Sequence, residues 1–106
     1  MIPVQFDYVA PATIEQAVGE LSQRQGSAVL AGGQSLLTDL KARRTAPTTL
    51  VDLRQISQLT EMGRTDTGAL RVGAMVTLDQ IATVKDIDSG WQCLSQAARS
   101  VADQQV

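Results

Sequence analysis

The feature that most constrains the fold is a change of periodicity at a pair of glycines, Gly32 and Gly33. Residues 28–31 read Ala-Val-Leu-Ala, a short unbroken apolar run that is typical of a strand buried on both faces. From Ser35 onward the apolar residues recur at helical spacing, and three cations fall in the last turn of a helix predicted at 35–44. The stretch therefore predicts a strand, a glycine turn and a helix.

A turn of this kind is suited to binding an anion. The first main-chain N–H groups of a helix lack intrahelical partners, and the helix dipole adds partial positive charge there. Glycines at 32 and 33 permit positive φ and let a phosphate approach the main chain without meeting a Cβ atom. The pattern also fits an ordinary loop, and it is neither a G-x-G-x-x-G fingerprint nor a P-loop. The residues alone leave both interpretations open.

The residues before the glycines complete a βαβ pattern. Alternation at Val4, Phe6 and Tyr8 predicts a half-buried opening strand. Thr13 and Gln16 have the spacing of a capping box, which predicts the start of an amphipathic helix. A strand, a helix and a second strand in this order predict parallel pairing. The glycine pair then lies at the carboxyl edge of a parallel sheet, where open α/β sheets bind ligands.

The following residues predict a third strand and then a different kind of structure. Leu50-Val-Asp-Leu53 is the third strand, and Asp52 is interpreted as a polar residue at its edge, with ligand contact as the less favoured alternative. The turn sequence ending at Gly68 predicts an antiparallel hairpin. Gly73 and Ala74 predict a bulge, with the close approach of a flat ligand as the alternative.

Two helices are predicted after the hairpin. Thr77 and Gln80 repeat the capping-box spacing, and apolar residues between 91 and 101 predict a final amphipathic helix of about three turns. The single cysteine, Cys93, is interpreted as a small core residue. No closing strand or C-cap follows, so we expect a truncated domain.

Composition excludes several classes of function. The 106 residues carry a net charge of −2 with one local basic cluster, so nucleic acid is not expected as a partner. With no histidine and one cysteine, we expect no metal site built by this chain. No apolar run approaches the roughly 20 residues of a membrane span. The first residues lack the regions of a signal peptide, and we therefore expect a cytoplasmic protein.

Six ordered blocks of the sequence resemble a known family. They are Phe6-Asp-Tyr8 with Pro11, Ala31-Gly-Gly-Gln-Ser-Leu-Leu37, Lys41-Ala-Arg43, Leu50-Val-Asp-Leu-Arg54, Val72-Gly-Ala-Met-Val-Thr77 and Val101-Ala-Asp103. Together they resemble the medium, FAD-binding subunit of molybdenum hydroxylases. The likeness is closest to the carbon monoxide dehydrogenase type, with the FAD subunits of bacterial xanthine dehydrogenases and N-heteroaromatic dehydrogenases as near relatives. It covers essentially the whole chain.

The resemblance implies an α+β fold of the FAD-binding PCMH type. A small βαβ subdomain with parallel strands would occupy residues 1–54, and a mixed subdomain of antiparallel strands and helix, incomplete here, would occupy 55–106. FAD would be held non-covalently between the two, with the Ala-Gly-Gly-x-Ser loop against its pyrophosphate, position 34 contributing its backbone, and the segment 73–77 nearer the flavin. The implied cofactor-binding residues are Ala31, Gly32, Gly33, Gln34, Ser35, Leu36, Gly73, Ala74 and Thr77.

The resemblance also implies electron transfer within an oxidoreductase complex. Substrate would be oxidised at a molybdenum cofactor in a large partner subunit, and electrons would pass through 2Fe-2S clusters in a small partner subunit to FAD and then to an acceptor. This chain would position the cofactor, supply no catalytic residue and be inactive by itself. The alternatives are a different flavin fold, or an α/β binding or interaction module without a redox role.

We expect the isolated 106-residue chain to bind FAD weakly or not at all. In the family a second glycine-rich phosphate loop follows the segment that matches 101–106, so half of the charge-assisted phosphate contacts would be missing. Flavin absorbance of the purified chain is the measurement. A yellow protein with stoichiometric flavin would contradict this expectation.

Overall fold

The computed structural model describes residues 4–84 and 89–101, and the chain divides into two compact units, Met1–Gln58 and Leu59–Val106. The first contains β1 (Asp7–Val9), α1 (Ile14–Gln23), β2 (Ser27–Leu30), α2 (Gln34–Lys41) and β3 (Thr49–Asp52); the second contains β4 (Met62–Arg64), β5 (Leu70–Val72), α3 (Leu78–Thr83) and α4 (Gln92–Arg99). Short 3-10 turns occur at Ser57–Thr60 and Ser89–Trp91. Within the described ranges, no helix has the length and apolar character needed to cross a membrane.

The first unit is built on a three-stranded parallel sheet with β3 at its centre. The strand order is β1-β3-β2, and both outer strands pair with β3 in parallel. All four residues of β3 are buried, whereas β2 is only half buried and its Val29 is 41 % exposed. A strand buried on both faces was expected at 28–31, and that expectation is wrong because β2 is an edge strand. The strand that is buried on both faces is β3.

Helix α1 begins at the predicted cap. The Gln16 N–H donates to Thr13 Oγ1 at 3.1 Å, as expected for an N-cap threonine. The Gln16 side chain accepts a hydrogen bond from the Ala12 N–H at 3.1 Å, one residue before the position that a standard capping box uses. Ala17 is the buried residue of α1.

Helix α2 ends in a Schellman motif, three residues before the predicted boundary at 44. The Arg44 N–H donates to the Asp39 carbonyl at 2.9 Å, and the Arg43 N–H donates to the Leu40 carbonyl at 3.1 Å. The left-handed residue of the motif is Arg43, with φ 55°, at a position where glycine is usual. Of the basic cluster, only Lys41 lies in the helix, and the two arginines lie in the turn.

The second unit begins with the predicted antiparallel hairpin. Met62 pairs with Val72 and Arg64 pairs with Leu70, and Gly68 in the turn has φ 84°. The mixed fold predicted from the sequence, parallel strands first and an antiparallel pair after them, is confirmed.

Helix α3 begins at a complete capping box, as predicted. The Thr77 N–H donates to Gln80 Oε1 at 2.8 Å, and the Gln80 N–H donates to Thr77 Oγ1 at 3.1 Å. The two hydrogen bonds join residues three positions apart, which is why the sequence spacing predicted the capping box.

Helix α4 packs on α3 and is shorter than predicted. It spans 92–99 after a 3-10 turn, and its buried Ser95 donates from Oγ to the Ile81 carbonyl in α3 at 2.9 Å. Cys93 is exposed, so its assignment to the core is wrong. Two residues along a helix correspond to about 200° of rotation, which places Cys93 opposite the face that buries Ser95. Residues 102–106, on which the expected truncation depends, lie outside the described residues.

We expect the first unit to be about 1 kcal/mol more stable in Arg43→Gly than in Arg43→Ala, because glycine adopts positive φ without the Cβ penalty. Urea unfolding is the measurement. Arg43→Ala is the matched control, since it removes the same side chain and keeps the Cβ atom. Equal stability of the glycine and alanine variants would contradict the backbone explanation.

Candidate functional site

Residues 31–36 form a corner at the carboxyl end of β2. Ala31 and Gly32 are exposed, and Gln34 begins α2. Gly32 has φ 77°, and Gly33, the N-cap residue of α2, has φ 83°. Both glycines therefore adopt the left-handed conformation that glycine permits.

The two glycines are needed for different reasons. At Gly33, which is buried, a Cβ atom would lie 2.8 Å from Leu37 Cδ1 and 3.0 Å from Leu30 Cδ1, so a larger residue would force these leucine side chains to shift and would also be strained by the positive φ. At Gly32 a Cβ atom would meet no described atom within 4 Å. Gly33 therefore closes the turn, and Gly32 leaves the main chain open to solvent.

The start of α2 leaves main-chain donors available. Gly33 offers no side chain to cap the helix, and the first hydrogen bond runs from the Leu37 N–H to the Gly33 carbonyl at 2.9 Å. Within residues 4–84 and 89–101, the N–H groups of 32–36 donate no hydrogen bond. These donors and the helix dipole give the corner partial positive charge, which attracts an anion.

A buried carboxylate lies at the carboxyl end of the neighbouring strand β3. Asp52 is 6 % exposed; its Oδ2 accepts a hydrogen bond from the Tyr8 hydroxyl, and its Oδ1 accepts one from the Arg54 N–H at 3.0 Å. In the sheet Asp52 pairs with Leu30, the last residue of β2. Asp52 is the last residue of its strand, as expected for a polar residue at its edge, but this strand is the central one and the side chain is covered.

The Tyr8 phenol is held in its neutral form by this arrangement. The hydrogen bond to Asp52 is the main cause that raises the pKa of Tyr8, and desolvation and the charge of the carboxylate act in the same direction. Arg54 acts in the opposite direction without reversing the shift. No sequence pattern connects Tyr8 with Asp52, which are 44 positions apart. The sequence offers only a weak signal for this pair, an acidic residue at the end of an apolar strand and the single tyrosine of the chain.

In the second unit Gly73 has a structural explanation. A Cβ atom there would overlap the Leu59 carbonyl group and lie 3.0 Å from the Glu61 oxygen. The Gly73 N–H donates to the Glu61 carbonyl at 2.9 Å, and the Met75 N–H donates to the Leu59 carbonyl at 2.8 Å. The protein's own main chain therefore requires glycine, as it would at a bulge, and no ligand is needed to explain it.

The remaining two predicted residues also lie in the second unit. Ala74 and Thr77 are exposed, and the Thr77 hydroxyl already serves the capping box of α3. The structure brings residues 31–36 together in one corner of the first unit. The cofactor contacts of Gly73, Ala74 and Thr77 stay a prediction.

Residues 4–106 match the family described as the FAD binding domain in molybdopterin dehydrogenase. The chain belongs to this family. It is 35% identical over 107 residues to the carbon monoxide dehydrogenase medium chain of Hydrogenophaga pseudoflava and 34% identical over 107 residues to caffeine dehydrogenase subunit beta of Pseudomonas sp. (strain CBB1). These matches cover 100% of this chain and 37% and 36% of the two relatives.

Solved structures agree with the family assignment. Quinoline 2-oxidoreductase from Pseudomonas putida 86 matches with a TM-score of 0.88 and 36% identity, over 98% of this chain and 36% of that one. Reconstituted CO dehydrogenase from Oligotropha carboxidovorans matches with a TM-score of 0.90 and 33% identity, over 99% and 37%. The chain thus spans a little over a third of its relatives' length. The expected family, fold class and cofactor, FAD, are confirmed.

Tyr8 is the only tyrosine of the chain, so its ionisation can be followed alone by tyrosinate absorbance. We expect a midpoint above the usual value of about 10, and a shift back toward that value in Asp52→Asn. A raised folded pKa means that the contribution of this group to stability is complete below about pH 10 and is lost as pH rises through the folded pKa. A midpoint that Asp52→Asn does not move would contradict the assignment.

Proposed function

We propose that residues 31–36 bind the diphosphate of FAD in the flavin-binding part of a molybdenum hydroxylase. The observation that carries the proposal is the exposed, left-handed Gly32 beside a row of main-chain donors that have no partner among the described residues. A diphosphate places two anionic groups side by side, which suits several N–H groups at the positive end of a helix dipole. Membership of an FAD-binding family supports the choice of ligand.

Five residues of the corner have assigned roles in this proposal. Gly32 allows the diphosphate to approach the main chain, and Gly33 sets the direction of α2. Gln34 and Leu36 contribute N–H groups, so their side chains are not critical. Ser35 is exposed and adds a hydroxyl donor.

Bound FAD would supply the redox chemistry, receiving electrons from iron–sulfur clusters in a small partner subunit and passing them to an acceptor. The residues of this chain bind and orient the cofactor. We infer that the partners are a molybdenum-binding large subunit and an iron–sulfur small subunit. The relatives are named as a medium chain and as a subunit, which implies further subunits. The cytoplasmic location stays a prediction.

We infer that the choice of substrate is made outside this domain. The relatives named above act, by their names, on carbon monoxide, caffeine and quinoline, yet each shares 33% to 36% identity with this chain. A domain that binds a common cofactor can remain similar while the substrate changes.

Titration with ADP, followed by amide NMR of the 106-residue chain, tests the proposal. ADP carries the diphosphate of FAD, and we expect the amides of residues 32–36 to shift saturably even at low affinity. Gly32→Asp should weaken binding at least about tenfold, because a carboxylate would fill the open space and repel the anion.

Gly68→Asp is the matched control. Gly68 also has positive φ and open space around it, so the substitution adds the same charge and the same strain in the second unit. It should leave ADP binding unchanged. If the amides of 32–36 do not respond to ADP, or if the two variants behave alike, the corner does not bind diphosphate and the interpretation as an ordinary loop is correct.

A further inference from the structure

We propose that Asp52 and Tyr8 are positioning residues that fix the main chain of the glycine corner, residues 31–33, in its anion-binding geometry; the functional meaning of this rests on the function proposed above. Neither side chain belongs to the corner. Both lie on the two strands that the corner does not continue, β1 and β3.

The Asp52 carboxylate is held in a fixed position. It is buried, and each of its oxygens has one donor, the Tyr8 hydroxyl on one side and the Arg54 N–H on the other. Removing a donor from a buried carboxylate costs much free energy, so these two hydrogen bonds hold the carboxylate firmly. The bond to the Arg54 N–H spans two residues and therefore fixes the main chain directly after β3.

The segment after β3 is hydrogen-bonded to the end of β2, directly before the corner. Leu53, between Asp52 and Arg54, donates its N–H to the Leu30 carbonyl at 3.1 Å, the last main-chain bond before residue 31. The Leu30 side chain in turn lies where a Cβ atom at Gly33 would approach within 3.0 Å. The position of Leu53 therefore determines where β2 ends and where the glycine turn begins.

The length of the tyrosine side chain suits its position in β1. In the sheet Tyr8 pairs with Leu50, two residues before Asp52, so its long side chain must reach along the sheet toward the carboxyl edge. This reach ties the short edge strand β1 to the end of β3. The ends of all three strands are thereby connected, from β1 through Asp52 and Leu53 to β2.

Tyr8→Phe tests the inference, because it removes the hydroxyl and keeps the ring. In the ligand-free chain we expect changed amide chemical shifts at residues 31–33 and faster hydrogen exchange of the Leu53 N–H, measured against the global unfolding rate of each variant. ADP affinity should fall about tenfold, the size expected for loss of one hydrogen bond to a charged group. Asp52→Asn is the second variant, since it keeps the size and one acceptor oxygen and should change the same amides.

Thr13→Ala is the control. It removes one capping hydrogen bond of α1 in the same unit, and among the described residues Thr13 makes no hydrogen bond to Leu53. We expect its corner amides and its ADP affinity to match the original chain. If Tyr8→Phe leaves the corner amides unchanged, or if Thr13→Ala changes them equally, the inference is overturned. If the corner responds to Tyr8→Phe but the original chain does not bind ADP, the positioning stands and the proposed function fails.

Discussion

The structure of the first unit depends on the burial of β3 between two parallel neighbours. Every residue of this strand is covered, including the carboxylate at its end. A charge in that place is tolerated only because donors reach both oxygens, one from β1 and one from the main chain that follows. The strand therefore organises the sheet in two ways, through its apolar side chains and through one polar group that ties down its carboxyl end.

Packing and access to the main chain are separated at the adjacent glycines. Gly33 serves packing, because the leucines of β2 and α2 occupy the space that a side chain would need. Gly32 leaves the main chain accessible, because nothing in the described chain limits the space around it. In the second unit, neighbouring carbonyl groups leave no room for a side chain at Gly73. A glycine-rich sequence motif alone does not distinguish these roles, whereas the space around each Cβ position does.

Local features could be predicted from the sequence, and features set by distant residues could not. The cap at Thr77 and the left-handed glycines depend on neighbours within a few residues, so their patterns were sufficient. The central position of β3 could not be predicted, because residues 28–31 and 50–53 are similarly apolar. The bond between Tyr8 and Asp52 joins residues 44 positions apart. The end of α2 was misplaced because Arg43 adopts a conformation that its residue type disfavours.

The aromatic residues are so few that each unit carries its own optical reporter. Tyr8, half exposed beside a carboxylate, belongs to the first unit, and Trp91, 38 % exposed before α4, belongs to the second. Since the chain has one tyrosine and one tryptophan, their emission can be recorded separately in the same sample. Coincident or separate loss of the two signals would thus reveal whether the units melt as one cooperative block or independently.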